Sequence, residues 1–265
     1  MNVEERREQI IEMVKQKKRV DLEKLTVFFN VSTMTIRRDL AQLEQDGEII
    51  RTHGGAVPAE REKGETPYVQ KESANKEAKK AIAVKAAERV HDHSTLILDS
   101  GTTTLELAKC LRERESLRII TNDILIAAEL LYSPVEVIVA GGELQRDVGA
   151  MFGAYTQDLI SSLYVDQFFL GAHSVDTKAG VTAPTLEKAR IKQLMMKAAA
   201  ETWMLADSSK FGHTSFVHVS SLKKLDGIIT DDGLQMTGLI DSYHDNVLLA
   251  ESKGEIADED RYYRR

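Results

Sequence analysis

Several things are scarce in this sequence, and each scarcity excludes something. There is one cysteine, Cys110, so no disulfide can form within the chain and no second thiol stands at metal-ligand spacing. Disulfide scaffolds and zinc fingers are out, and no metal site is expected. The longest apolar stretches, such as Val135–Ala140, are strand-sized, far short of the roughly 20 residues that cross a bilayer. Residues Met1–Gln9 carry Glu4, Glu5, Arg6, Arg7 and Glu8 with no apolar segment or small-residue cleavage site, which is no secretory signal. The expectation is a cytoplasmic protein with no membrane partner. Positive charge is scarce too: 35 Lys and Arg stand against 42 Asp and Glu, a formal net charge of -7. Taken whole, that speaks against a phosphate-rich partner. The excess is uneven, however. Residues 1–60 hold ten basic against eleven acidic side chains, a net of -1, which leaves -6 to the remainder.

What is present suits a globular protein. With 265 residues, 42% hydrophobic and 29% charged, the chain can bury a real core and is long enough for two unequal domains. Between Glu4 and Lys17, Ile10, Ile11 and Val14 recur at helical spacing. A basic run (Lys15, Lys17, Lys18, Arg19) and Val20 lead to Asp21, at the N-cap of a second helix holding Leu22, Leu25, Phe28 and Phe29. Asn30 stands where a tight turn needs a left-handed residue. Ser32 then caps a third helix with Ile36, Leu40 and Leu43 on one stripe, and Gly47 is expected to end it. Ile49, Ile50, Thr52 and Val57 around Gly54-Gly55 predict a hairpin. Helix, helix, turn, helix, hairpin is the order of a winged helix-turn-helix.

At about 100° per residue, the stripe of Ile36, Leu40 and Leu43 leaves Arg38 and Met34 pointing outward, with Thr35 and Gln42 on one flank and Arg37 on the other. A recognition helix exposes its first residues to base edges and uses its flanks for phosphate. Arg38 suits a bidentate contact to guanine and Met34 a thymine methyl, with Thr35 and Gln42 also available for base contact; Arg37 and Ser32 suit the backbone. Arg51, Thr52 and His53 put a wing over an adjacent phosphate or minor groove. The candidate DNA-binding set is Ser32, Thr33, Met34, Thr35, Arg37, Arg38, Gln42, Arg51, His53 and Gly54. An isolated Arg37-Arg38 pair would more often be a solvated helix face; the turn, cap, stripe and wing in their right order favour DNA.

Residues 58–75, with Pro58, Glu60, Arg61, Glu62, Lys63, Gly64, Glu65 and Pro67, read as a linker between a 1–57 DNA-binding domain and a 76–252 sensor domain, with 253–265 a polar tail. Strands are expected at Thr95–Asp99, Arg118–Thr121, Val135–Ala140, Gln167–Ala172, Thr202–Asp207, Gly227–Thr230 and Val247–Ala250. Helices are expected at about Lys76–Val90, Thr103–Leu111, Ile124–Leu131, Tyr155–Leu163, Thr185–Ala200 and Leu234–Ile240. Repeated strand–helix units with near-continuous apolar strands imply an α/β, largely parallel, doubly wound sheet, whose ligands bind at the carboxyl ends of strands.

One such end is Asp99-Ser100-Gly101-Thr102-Thr103-Thr104. Glycine admits a ligand to the backbone, hydroxyls donate, and a helix N-terminus favours anions. By itself this could be an ordinary capped helix. Thr121-Asn122-Asp123, Gly141-Gly142, Gly171-Ala172-His173 and Asp207-Ser208-Ser209-Lys210 also follow apolar strands. Lys210 offers a cation for phosphate, while Asp99, Asn122 and Asp176 suit sugar hydroxyls, though each also fits a turn or cap.

The run Val31-Ser32-Thr33-Met34-Thr35-Ile36-Arg37-Arg38-Asp39-Leu40-Ala41-Gln42-Leu43-Glu44, with Arg51-Thr52-His53-Gly54-Gly55-Ala56, resembles the DNA-binding domain of the DeoR family of bacterial transcriptional regulators. The resemblance continues through the second domain. It implies a sensor domain similar to ribose-5-phosphate isomerase that binds a phosphorylated sugar and changes the grip on operator DNA. The residues it implies for that effector are Asp99, Gly101, Thr102, Thr103, Thr104, Thr121, Asn122, Gly141, Gly142, Asp176, Gly180, Glu187 and Lys210. Where the family often shows Ala-Asp-Gly-Ile-Asp, this chain has Ala172-His173-Ser174-Val175-Asp176, which adds His173 as a candidate effector contact. The similar isomerases carry two aspartates in an Asp-Gly-Ala-Asp run; Leu170-Gly171-Ala172-His173 has neither. The expectation is a repressor of a carbohydrate-utilisation operon without catalytic residues or a cofactor, acting as a homodimer or higher homo-oligomer. The alternatives are a sugar-phosphate isomerase with Glu187 as base and an appended DNA-binding domain, or an activator.

Overall fold

The computed structural model describes residues 2–17, 20–45, 48–52, 54–58, 68–237 and 240–251. The expected Gly47 stop, Lys18-Arg19, His53, linker residues 59–67 and the tail lie outside the described residues.

The N-terminal domain runs α1 (Val3–Lys17), β1 (Val20–Asp21), α2 (Leu22–Phe29), α3 (Thr33–Gln45), β2 (Ile49–Thr52) and β3 (Gly55–Pro58). The anticipated stripe is buried: Ile36, Leu40 and Leu43 meet Ile10, Val14, Leu25 and Phe29 in one apolar cluster. Asn30 takes the left-handed conformation (φ 51, ψ 47) that ends α2. The Ser32 hydroxyl accepts from the Thr35 N–H at 3.2 Å, so α3 starts where its cap places it. Two details differ from expectation. The wing is a three-stranded antiparallel sheet in order β1-β3-β2, because Val20 and Asp21 pair with Ala56 and Gly55; two residues carry no period for a sequence reading to find. Asp21 occupies the N-cap of α2 but makes no cap bond with its side chain and instead faces Lys24 Nζ at 3.1 Å.

Asp39, on the buried side of α3, receives Arg6 Nε at 2.7 Å and Arg7 Nε at 3.1 Å. It thereby pins α1 across the recognition helix. Asp39 and Arg6 are both buried, and removing one member of a buried pair strands the other. Asp39→Ala is expected to cost the N-terminal domain about 3 kcal/mol, read as lost amide protection at Ile36, Leu40 and Leu43. Breaking the exposed Arg51–Glu44 pair with Glu44→Ala should cost under about 1 kcal/mol.

The second domain follows as α4 (Tyr68–Ser73), α5 (Lys76–Ala87), β4 (Thr95–Leu98), α6 (Thr102–Leu111), β5 (Arg118–Thr121), α7 (Ile124–Glu129), β6 (Glu136–Val139), β7 (Glu143–Gln145), β8 (Ala150–Phe152) and α8 (Ala154–Ser161). It continues with β9 (Val165–Gly171), β10 (Ser174–Asp176), β11 (Gly180–Ala183), α9 (Leu186–Ala198), β12 (Ala199–Leu205), β13 (Val217–Ser220), β14 (Gly227–Asp231) and β15 (Val247–Ala250). Every expected strand is present, its ends displaced by at most three residues. Seven form one sheet in order β15-β14-β12-β9-β4-β5-β6, parallel throughout. Successive strand residues feed opposite cores: Ile97, Phe168, Leu170 and Met204 on one face, Leu96, Leu98, Phe169 and Trp203 on the other. A sheet buried on both faces is why its strands read as apolar runs. Strand order reverses between β4 and β9, and a crevice opens outside the carboxyl ends of strands at such a switch point.

Three expectations need correction. Residues 68–75 are not linker: α4 is folded onto the sensor domain, with the Tyr68 N–H donating to the Asp147 carbonyl at 2.8 Å, and β3 runs on through Pro58. The expected helix Leu234–Ile240 is instead a 3₁₀ turn, Asp232–Thr237, followed by another at Ile240–Ser242; the Gly233 N–H donates to Asp231 Oδ2 at 3.1 Å, which ties the segment to the strand end. Two small antiparallel sheets, β7-β8 and β10-β11-β13, were not foreseen, since strands of three or four residues show no alternation to count.

Candidate functional site

On the N-terminal domain the exposure along α3 follows the helical arithmetic. Ser32, Thr33, Met34, Arg37 and Arg38 are exposed, Thr35 and Gln42 half-buried. Arg37 and Arg38 form no ion pair among the described residues, so their guanidinium forks face solvent uncommitted. Arg51 is different: its Nε donates to Glu44 Oε2 at 2.8 Å and its N–H to Glu44 Oε1 at 3.2 Å. It fastens the wing to α3, and a phosphate would have to compete with Glu44 for it. The Ser32 hydroxyl is likewise occupied by its cap and by Thr35 Oγ1 at 2.9 Å. Gly54 is exposed, and its carbonyl accepts from the Leu22 N–H at 2.6 Å.

In the second domain a cavity opens at the switch point. Its walls come from the ends of β4 (Asp99–Thr104), β5 (Asn122), β9 (Gly171, Ala172, His173) and β12 (Ala206, Asp207, Ser209, Lys210). Of the expected effector residues it gathers Asp99, Gly101, Thr102, Thr103, Thr104, Asn122, His173 and Lys210. Gly101 has an extended φ of 164, and an added Cβ would meet only Thr104 Oγ1 at 3.5 Å. Neither backbone nor packing requires glycine there; what it leaves is open space before the uncapped N-terminus of α6, where N–H groups attract anions. Thr104 is already committed, donating to the Asp99 carbonyl at 2.7 Å. Asn122 donates to the Met151 carbonyl at 2.9 Å, while its Oδ1 is buried without a hydrogen-bond partner.

Asp99 proves to be a scaffold more than a free acceptor. Its carboxylate takes the Ser100 and Gly171 N–H groups, both at 2.9 Å, and an ion pair with Lys192 Nζ. Lys192 also donates to the Gly171 carbonyl at 2.8 Å.

The remaining expected residues lie elsewhere. Thr121 is fully buried behind Asn122, its hydroxyl accepting from the Asp123 N–H at 3.1 Å. Gly141 and Gly142 line a separate shallow groove beside α8. A Cβ on Gly142 would fall 2.1 Å from the Phe152 carbonyl oxygen, so close packing accounts for that glycine. Asp176 Oδ1 accepts from the Lys178 and Ala179 N–H groups at 2.8 and 2.7 Å, and Gly180 (φ +70) closes the same β10–β11 turn. Glu187 is exposed on the first turn of α9 and outside the cavity.

Five lysines line the cavity: Lys71, Lys79, Lys188, Lys192 and Lys210, against the two carboxylates of Asp99 and Asp207. Four of those lysines, Lys71, Lys79, Lys188 and Lys192, are not legible from the strand ends, because they sit in helices that fold back over the sheet edge. Lys79 is buried, and desolvation pushes its ammonium below the ordinary lysine range, with nearby Lys210 adding to the shift and Asp207 opposing it. Near the cavity, Asp123 is pushed up by burial, against the opposing bond from the Ser100 hydroxyl. Among the described residues no cluster of three or more metal-ligating side chains occurs, and no helix is long and apolar enough to cross a membrane.

A winged helix-turn-helix joined to a pocketed α/β domain defines a DNA-binding transcriptional regulator with a sensor module. Residues 6–62 match the DeoR-like helix-turn-helix domain and residues 74–232 the DeoR C terminal sensor domain. The chain belongs to the DeoR family. It is 38% identical to the HTH-type transcriptional regulator GlpR of Haloferax volcanii, over 87% of this chain and 90% of that one. It is 35% identical to the glycerol-3-phosphate regulon repressor of Escherichia coli K12 (87% and 92% covered) and 34% to the putative aga operon transcriptional repressor of Escherichia coli O157:H7 (89% and 88%). Among solved structures, a D-ribose-5-phosphate isomerase in complex with phospho-erythronic acid overlaps at TM-score 0.37 and 17% identity, covering 51% of this chain and 54% of that one. An overlap that slight carries no argument about ligand or chemistry.

The DNA face yields a paired test. Arg38→Ala should relax base discrimination by about 1–3 kcal/mol at one position, whereas Arg37→Ala should weaken specific and random DNA alike and reduce the salt slope by about 1. Fluorescence anisotropy on both duplexes across a salt series separates them.

Proposed function

We propose that this chain is a repressor of a carbohydrate-utilisation operon, released from its operator when a phosphorylated sugar enters the sensor pocket. The observation that carries the reading is the charge of that pocket: five lysines against two carboxylates, in a chain whose net charge is -7. Both carboxylates are occupied, Asp99 by Lys192, Ser100 and Gly171, and Asp207 by Asn75 and Ser209. The site therefore offers cations, uncapped helix N–H groups and the unpartnered Asn122 Oδ1. That set suits a small molecule with a phosphate at one end and a hydroxyl at the other. One relative is a glycerol-3-phosphate regulon repressor, which agrees with a phosphorylated signal.

The same inventory argues against isomerisation. That reaction needs a base and an acid beside the carbonyl carbons, and Glu187, the base expected of an isomerase, stands on the surface outside the cavity. The signal acts by linkage: it must bind the operator-free form more tightly than the operator-bound form. Two operator half-sites call for at least a homodimer.

Phosphorylated sugars should raise the melting temperature while their unphosphorylated counterparts do not. Lys210→Ala should weaken the active compound about tenfold, ~1.4 kcal/mol. An anion prefers Lys79 protonated, and burial lowers the Lys79 pKa, so affinity should begin to fall below the ordinary lysine range of about 10 as pH rises. Lys79→Met should flatten that fall in calorimetric titrations. Equal stabilisation by free sugars, or turnover of ribose 5-phosphate that Glu187→Gln abolishes, would sink the reading.

A further inference from the structure

The cavity has a wall that the strand ends do not supply. Lys71, Ala74, Asn75 and Lys79 line it, and they belong to α4, the start of α5 and the corner between them. This is the first described segment after the DNA-binding domain: β3 ends at Pro58, α4 begins at Tyr68, and residues 59–67 join them.

The corner is held to the pocket chiefly by polar contacts. Asn75 takes the left-handed conformation (φ 51, ψ 39) and makes no cap bond for α5. Its amide reaches across instead, donating to Asp207 Oδ1 at 2.8 Å and to Ser209 Oγ at 3.1 Å. Lys79 Nζ donates to the Lys71 carbonyl, tying the last turn of α4 to the buried ammonium beside Lys210. Residues 72–77 are all exposed, so little apolar burial secures the corner, and segments of that kind open most easily.

We propose that this α4–α5 corner senses pocket occupancy and relays it to the linker, with Asn75 and Lys79 as the relay. The inference rests on the phosphorylated-effector reading above. The corner is held by a few hydrogen bonds, and beside it Lys79 and Lys210 line one cavity, where the charge of Lys210 disfavours that of Lys79. An anion between them relieves that repulsion, steadies Lys79 on the Lys71 carbonyl, and locks α4. Fixing α4 fixes the point, Tyr68, at which the described chain enters the sensor domain. A fixed entry point narrows the placements open to the DNA-binding domain and disfavours simultaneous engagement of two half-sites.

The test uses the full-length protein. Glycerol 3-phosphate, ribose 5-phosphate, fructose 1-phosphate and galactosamine 6-phosphate are screened by thermal shift, and the compound that stabilises most is used at saturation. Two measurements follow: hydrogen exchange of peptides spanning residues 71–79, and operator affinity with and without the compound. In the wild type, exchange across 71–79 should slow at least fivefold and operator affinity should drop. Asn75→Gly keeps the left-handed corner but removes the amide. In this variant, at a compound concentration that saturates its own thermal shift, the compound-induced drop in operator affinity should shrink at least fivefold. A compound that stabilises the protein and releases operator, yet leaves exchange at 71–79 unchanged, overturns the relay alone. So does an Asn75→Gly protein with the full drop. A wild type that none of the four compounds stabilises overturns the sugar-phosphate reading and the relay with it.

Discussion

The Asp99 carboxylate is the point on which the sensor domain turns. It sits at the carboxyl end of β4 and takes the N–H of its own following residue, the N–H of Gly171 at the end of β9, and the ammonium of Lys192 on α9. Three elements distant in sequence are thus fixed by one buried anion at the place where strand order reverses. A lone carboxylate there would be costly to bury; with Lys192 and two N–H groups it is paired. The arrangement also aims things. Holding Ser100 in place starts the turn into α6, and so presents the N-terminus of α6 to the cavity. Drawing Lys192 onto Asp99 brings α9 over the opening, which carries Lys188 to the same wall.

How much of this was legible in the sequence depended on the range of the interactions involved. The seven parallel strands are apolar runs because both faces of the sheet are covered, and a run of that kind is visible locally. Asn30 and Ser32 were legible for the same reason, since turn and cap act within a few residues. The pocket was half legible. The positions after β4, β5, β9 and β12 follow from where parallel sheets bind ligands, and eight expected residues do meet there. What was illegible was partnership at long range. Nothing near Asp99 shows that Lys192 lies against it, so it read as a free acceptor. Nothing near Gly142 shows Phe152 pressing on it, so a packing glycine read as a ligand glycine. The opposite error hid the α4–α5 corner: the charges around Pro67 read as linker as far as residue 75, and only the bonds from Asn75 and Tyr68 reveal a wall.

The net charge of -7 also changes meaning once side chains are placed. Two clusters of positive charge in an acidic protein, one on α3 and one in the sensor pocket, differ in what can reach them. Shape sets that difference. Arg37 and Arg38 stand exposed on a helix narrow enough for a major groove, and as planar, permanently charged forks they suit a duplex. Lys79 and Lys192 are buried and the other pocket lysines sit around a recess, where a duplex backbone cannot follow but a single phosphate can. Lysine fits that second task, because burial shifts its pKa and makes its ammonium gain from a neighbouring anion. The acidity of the rest of the chain raises the cost of non-specific DNA on the sensor surface, while the pocket lysines stay recessed from it.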